Sequence, residues 1–216
     1  MKVLVIGANG NTGKRVVRRL KEGPHEPLAM IRSVSQRETF DALGVPTVLA
    51  DLEYPIDHAV HGCDAVIFAA GSGSKTGKDK TVLIDHIGAI RSMVAAAVNG
   101  ATRYVMLSSV GSEPNSDSKI RHYHRAKGNA DAFLQGMHEV MPEQLDWTVV
   151  CPAGLTDEPA TELVAIDTDV TGNHRTSREN LAAALVACLD EPKTIGKRFE
   201  LYDGNTPLRE ALAALV

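Results

Sequence analysis

The chain has 216 residues, 44% hydrophobic and 23% charged, which suits one packed domain and argues against disorder. Its formal net charge of −4, with Lys and Arg scattered, argues against nucleic acid or an anionic membrane surface as a partner. Cys63, Cys151 and Cys188 are far apart and read as free thiols; with no signal-peptide pattern at Met1–Ile6 and no apolar run near the ~18 residues of a membrane span, a cytoplasmic location is expected.

Taken in chain order, Val3–Ile6 is a fully apolar run, as expected of a central parallel strand. A helix follows over Thr12–Glu22 and stops at Gly23-Pro24; its Arg18, Arg19 and Lys21 read as a solvated face. Leu28–Ile31 is a second strand, Ser35–Leu43 a charged helix ending at Gly44, and Thr47–Ala50 a third strand. A weak segment near Pro55–Val60 leads to a fourth strand, Ala65–Ala69. A long helix over Asp79–Val98 ends at Asn99-Gly100, a favourable C-terminal signal. Strand five is Tyr104–Leu107, a helix covers Lys119–His138, and strand six is Trp147–Val150. The tail holds a helix near Ser177–Leu189, a strand near Arg198–Tyr202 and a short terminal helix. Six strands alternating with helices predict an α/β doubly wound parallel sheet of Rossmann-like order 3-2-1-4-5-6. Residues 1–216 read as a single dinucleotide-binding domain in which roughly 151–216 form a small substrate-side extension.

Between the first strand and first helix lies Gly7-Ala8-Asn9-Gly10-Asn11-Thr12-Gly13, a G-x-x-G-x-x-G turn. Glycines permit a sharp turn and close approach of the backbone to a pyrophosphate, which the helix N-terminal amides then bind. A triphosphate-binding loop is excluded, because Arg15 stands where its Mg²⁺-binding Ser or Thr is required. The second strand ends Met30-Ile31-Arg32-Ser33, without the acid that holds the ribose 2′-hydroxyl of NAD. Arg32, assisted by Arg37, suits the 2′-phosphate instead, so NADP(H) is expected in preference to NAD(H). Asp51 and Leu52, after strand three, suit the adenine amino group and ring. Ala69, Ala70 and Gly71, after strand four, are small enough for the backbone to pass beneath a ribose.

These pieces, with Ser108-Ser109-Val110-Gly111 and Tyr123-His124-Arg125-Ala126-Lys127, resemble the atypical short-chain dehydrogenases/reductases, among them epimerase-like and reductase-like NAD(P)-binding proteins. The resemblance implies a Y-x-x-x-K pair at Tyr123 and Lys127, a Ser at Ser109 with Ser108 as the alternative, and Asp85 where such enzymes usually carry Asn. Cys151 stands before Pro152 where relatives often have Arg, and Pro152 joins the cofactor-side residues. Lys127 is implied to hold the nicotinamide ribose as well. Tyr123 and Lys127 share a helix face, and an ammonium nearby is expected to lower the phenol pKa. Ser109 would fix a substrate carbonyl oxygen and Tyr123 would protonate it.

The functional expectation is an NADP(H)-dependent oxidoreductase acting on a small carbonyl, quinone or flavin-like acceptor, as a monomer or homodimer. The alternatives are an NAD(P)-dependent epimerase and a non-catalytic NAD(P)H sensor. No metal site is expected from His58, His61 and Cys63, which lack a fourth ligand. His124 reads as a solvent-facing residue beside Tyr123.

Overall fold

A computed structural model describes residues 1–73, 77–140, 145–167 and 174–216. Residues 74–76, 141–144 and 168–173 lie outside that set.

The first half alternates β1 (Lys2–Ile6), α1 (Asn11–Glu22), β2 (Glu26–Ile31), α2 (Arg37–Asp41), β3 (Thr47–Leu49), α3 (Asp57–Val60) and β4 (Ala65–Phe68). Next come α4 (Lys78–Thr81), a π-helical stretch (Val82–Gly88), α5 (Ala89–Val98), β5 (Arg103–Leu107), α6 (Arg121–Val140) and β6 (Asp146–Pro152). The rest is β7 (Gly154–Thr156), β8 (Leu163–Asp167), β9 (Arg175–Ser177), α7 (Arg178–Ala187), β10 (Lys197–Asp203), β11 (Thr206–Pro207) and α8 (Leu208–Ala213).

Strands β3-β2-β1-β4-β5-β6 run side by side and parallel, the order expected from right-handed crossovers. The tail continues the same sheet: β10 lies parallel to β6, then β8 antiparallel to β10, then β11. Strands β7 and β9 form a separate two-stranded parallel ribbon just past the end of β6.

The period of two along β1 divides the core. Val3 and Val5 pack on one face with Val16, Val17 and Leu20 of α1, Phe40 of α2, and Leu181 and Leu185 of α7. Leu4 and Ile6 pack on the other face with Met93 of α5 and Leu134 and Met137 of α6. Each face therefore removes a full helix layer from water, at about 25 cal/mol per Å² of apolar surface. Arg18 and Arg19 are not merely solvated. They reach Glu179 at 4.0 Å and Glu162 at 3.1 Å, while Arg15 meets Glu179 at 2.8 Å, so α1 carries charges that meet the tail packed against it.

One apolar stretch was not expected. Lys78–Val98 is long and apolar enough to cross a membrane by length and composition, with a mean hydropathy of 1.4. Half of that window is buried in the protein, because its Ala, Met and Ile side chains cover the sheet.

Candidate functional site

The glycine turn is built as a cradle. Gly7 has φ +81°, and a Cβ there would lie 2.6 Å from the Cα and N of Ala70. A Cβ on Gly13 would strike the Gly7 carbonyl oxygen and come within 2.9 Å of Ala8 Cα, so the helix start rests directly on the turn. Gly10 caps α1 without any side-chain hydrogen bond, and the first turn of α1 contains no acid. The N-terminal amides of a 12-residue helix are thus left for an anion supplied from outside the chain. Asn9 is half-buried, Asn11 exposed and Thr12 nearly buried at this end. These features fit the diphosphate of a dinucleotide.

Arg32 and Arg37 are exposed after β2, and neither pairs with an acid among the described residues. Arg32 leads into a tight turn: its amide and that of Ser33 donate to Gln36 Oε1, and Ser33 caps the following 3₁₀ turn. Asp51 Oδ1 accepts from the Glu53 amide at 3.0 Å, a turn contact that leaves its second oxygen for another donor. Leu52 is 6% exposed and packs into the core beside Gly88, so most of its surface is committed to the protein. Ala69 and Ala70 pass half-buried over Gly7, and Gly71 lies beside Asp85, whose Oδ1 would be 3.2 Å from an added Cβ.

The π-helical stretch carries Asp85 into the interior, where it is 0% exposed. π-helical segments are concentrated at functional sites. Asp85 Oδ2 accepts from the Ser72 amide at 3.0 Å. Its Oδ1 lies 3.5 Å from Lys127 Nζ, and Lys127, 2% exposed, also donates to the Leu107 carbonyl at 3.0 Å. The ammonium lies 5.7 Å from the Tyr123 ring centre and 5.8 Å from that of Phe68. Burial works against the charge of Lys127, but Tyr123, Asp85 and Asp131 outweigh it, and its pKa lies above the ordinary value.

The Tyr123 phenol departs from expectation. Burial pushes its pKa up, Asp85 and Asp131 add to the rise, and the opposing pull of Lys127 does not overcome them. Desolvation of the phenolate exceeds stabilisation by one ammonium. Tyr123 therefore stays protonated across the neutral range, as a proton donor requires.

Ser108 and Ser109 have different partners. Ser108 is 2% exposed and donates to Asp131 Oδ2 at 2.6 Å. Ser109 is half-buried, and its hydroxyl makes only a long contact of 3.3 Å to the Val110 carbonyl. Among the described residues, the Ser109 hydroxyl has no closer partner than this, whereas that of Ser108 is engaged. The Val110 amide donates to the Pro152 carbonyl at 3.0 Å, which joins this turn to the end of β6.

His124 is not solvent-facing. It is half-buried, bonds Ser118 Oγ through Nδ1 at 2.8 Å, and lies on Gly111, where a Cβ would be 3.2 Å from its ring. Burial and the neighbouring His122 lower its pKa. Cys151 is fully buried, and burial pushes its thiol up to about 12. The cation in its neighbourhood comes from the next strand, where Arg198 of β10 pairs opposite Val149. His58 bonds the Leu49 carbonyl at 3.0 Å and Cys63 the Ala59 carbonyl at 3.8 Å, so each has a local backbone partner.

Two residues at this centre escape a reading of the sequence. Asp131 follows Lys127 by four residues and lies on the same α6 face, an acid inside the stripe Ala126, Ala130, Leu134; that spacing is a usable signal. Arg198 carries no such signal, because its place depends on which strand β10 joins.

A family model described as NAD(P)H-binding matches residues 7–192. The chain is 39% identical to the uncharacterized sugar epimerase YhfK of Bacillus subtilis (strain 168), over the full length of both. A solved structure from Bacillus halodurans, named for an NAD-dependent epimerase/dehydratase, is 38% identical and superposes with a TM-score of 0.90, covering 98% of each chain. The oxidoreductase ylbE of Lactococcus lactis is 26% identical with a TM-score of 0.83, covering 100% of this chain and 96% of its own.

Proposed function

The chain belongs to this NAD(P)H-binding family of Rossmann-like oxidoreductase and epimerase relatives, and from that premise we propose that it is an NADPH-dependent reductase of a small carbonyl, quinone or flavin-like acceptor. The reading rests above all on Tyr123, a phenol that burial keeps protonated and whose ring centre lies 5.7 Å from the ammonium of the buried Lys127–Asp85 pair.

In this reading the amides of Asn11, Thr12 and Gly13 receive the diphosphate, with Gly7, Asn9 and Gly10 shaping the turn, whose Gly10 amide donates to the Gly7 carbonyl. Arg32 and Arg37 face the 2′-phosphate, where charge-assisted bonds favour NADPH over NADH. The free oxygen of Asp51 takes the adenine amino group, with the rim of Leu52 against the ring. Ala69, Ala70 and Gly71 let the chain run close to the ribose, and Pro152 closes the nicotinamide side. When bound, the nicotinamide supplies or accepts hydride. Ser109 fixes the substrate oxygen by a hydrogen bond, and Tyr123 gives it a proton. Lys127 keeps an ammonium beneath the phenol and has three N–H bonds to share, enough to reach a ribose hydroxyl besides its protein partners. A cytoplasmic location, as monomer or homodimer, completes the proposal.

The test is NADPH oxidation against a panel of aldehydes, quinones and free flavins. Tyr123→Phe is expected to lower turnover by about 10²-fold or more while NADPH binding stays intact; unchanged turnover ends the assignment. Two other readings have a motive. The relatives named as epimerases favour interconversion of a sugar centre, which needs no net consumption of cofactor. Asp85 in place of Asn favours a sensor, whose mark is a partner that binds only when NADPH is present and no turnover of any acceptor.

A further inference from the structure

Resting on the reductase reading, we propose that Asp131 and Arg198 are a pair of positioning residues that hold both ends of the turn presenting Ser109, so that the C-terminal strand β10 completes the site.

The turn runs from Ser108 to Ser112 and is gripped at each end. Asp131 Oδ2 takes the Ser108 hydroxyl at 2.6 Å. Arg198 Nη2 donates to the Ser112 carbonyl at 2.9 Å. The two grips are joined, since Arg198 Nε lies 3.5 Å from the same Asp131 Oδ2. Between the ends the Ser112 amide donates to the Ser109 carbonyl at 3.1 Å, which curls the turn. Gly128, on α6 between Lys127 and Asp131, admits the backbone of Glu113 so closely that a Cβ would lie 2.6 Å from Glu113 Cα. Glu113 in turn reaches Arg198 at 3.5 Å. Ser109, Val110 and Gly111 thus form the crown of a loop whose two feet meet one ion pair, with the Val110 amide also tied to the Pro152 carbonyl of β6.

The pair is costly to bury and therefore needs a role. Asp131 is 2% exposed, and its Oδ1 has no hydrogen-bond partner. Burial pushes its pKa up to about 6, against the opposing pull of Ser108, Arg198 and Lys127. The charged or titratable groups around it are Tyr123 and Lys127 on α6, Asp85 on the π-helical stretch, Cys151 on β6, Arg198 on β10 and Glu113 in the turn. Protonating Asp131 removes the charge that draws Arg198 Nε, so the Ser108 end of the turn loses its link to β10 while the Ser112 end keeps its bond from Arg198 Nη2. A misplacement of Ser109 of even 1 Å is enough to cost about 10²-fold in rate.

The test compares wild type, Asp131→Asn, Arg198→Gln and the double variant, with kcat and KM measured across the acid and neutral range on the best acceptor of the panel. Wild-type kcat is expected to fall as pH drops through the Asp131 transition, and Asp131→Asn to lose that limb. Each single variant is expected to lose about 10- to 100-fold in kcat with KM for NADPH changed less than about twofold, and the double no more than either single. Unchanged kcat with the acid limb intact in Asp131→Asn, or additive losses in the double, overturns the proposal. If Asp131→Asn does not fold, Asp131→Glu is used instead, and an unmoved acid limb is then the overturning result. Wild type that turns over no acceptor sinks the reductase reading, not the pair. The pair is then judged by urea denaturation of the same four proteins at neutral pH: the stability loss in the double variant should be smaller than the sum of the two single losses, and losses that simply add overturn the pair.

Discussion

Lys127 Nζ and Asp85 Oδ1 face one another at 3.5 Å inside the protein, with side chains 2% and 0% exposed. Removing one partner strands the other charge where water cannot reach it. Lys127→Met is expected to lower unfolding free energy by about 3–5 kcal/mol, and Lys127→Met with Asp85→Leu to recover much of that loss. Urea denaturation of both variants and of Asp85→Leu alone closes the cycle; a loss in the double equal to the sum of the two single losses would show that the two groups are energetically independent.

Glycine at position 7 is needed for two reasons that can be separated. Gly7 and Gly100 have similar left-handed backbones, φ +81° and +78°, but only Gly7 has backbone atoms where a Cβ would go. Gly100→Ala is expected to cost about 1 kcal/mol from backbone strain alone. Gly7→Ala should cost clearly more, above about 2 kcal/mol, and abolish NADPH binding. Thermal melts and titration calorimetry on the two variants check this; equal melting temperatures would contradict it.

The proposed preference for NADPH rests on Arg32. Arg32→Ala is expected to raise the Kd for NADPH by about 10- to 100-fold and leave that for NADH within about twofold, as expected for a charge-assisted contact made only to the 2′-phosphate. Titration calorimetry with both dinucleotides decides it. Parallel weakening of the two would move the phosphate contact elsewhere.

Asp131 also predicts how stability varies with acidity. Its folded pKa of about 6 lies above the ordinary value of 3.8, so the folded chain binds the extra proton between those limits. Its contribution to stability is full below pH about 4 and declines as pH rises through about 6, by an amount on the order of 3 kcal/mol. Asp131→Asn should flatten that part of the profile. Denaturant midpoints collected through the acid range test it, and an equal slope in wild type and variant would refute it.

Much of this was legible before any coordinates. The apolar run Val3–Ile6, the three spaced glycines and the alternation of strands with helices determine six strands in order and put a tight glycine turn between the first strand and the first helix. Y-x-x-x-K places Tyr123 and Lys127 on one face by helix geometry alone. What the sequence hid is long-range. Strands β7, β8, β9 and β11 have two to five residues each, too short to show a period, and they exist because a neighbouring strand accepts their hydrogen bonds. The sign of the Tyr123 shift was misjudged for a related reason: the motif displays Lys127 but not the burial that outweighs it. The sequence names Ser109 first with Ser108 as the alternative, but it does not display the contact that engages Ser108, which comes from Asp131, 23 residues away.

The position of Arg198 on the last long strand gives the site a history. During synthesis the glycine cradle, α1 and the first strands emerge early and have local partners with which to fold. The loop bearing Ser109 gains its bond from Arg198 only once β10 has been made. On the proposed reading, a nascent chain acquires a place for the coenzyme's phosphates before its reactive groups are aligned, and ribosome-bound fragments ending short of β10 should capture nucleotide without working on a substrate.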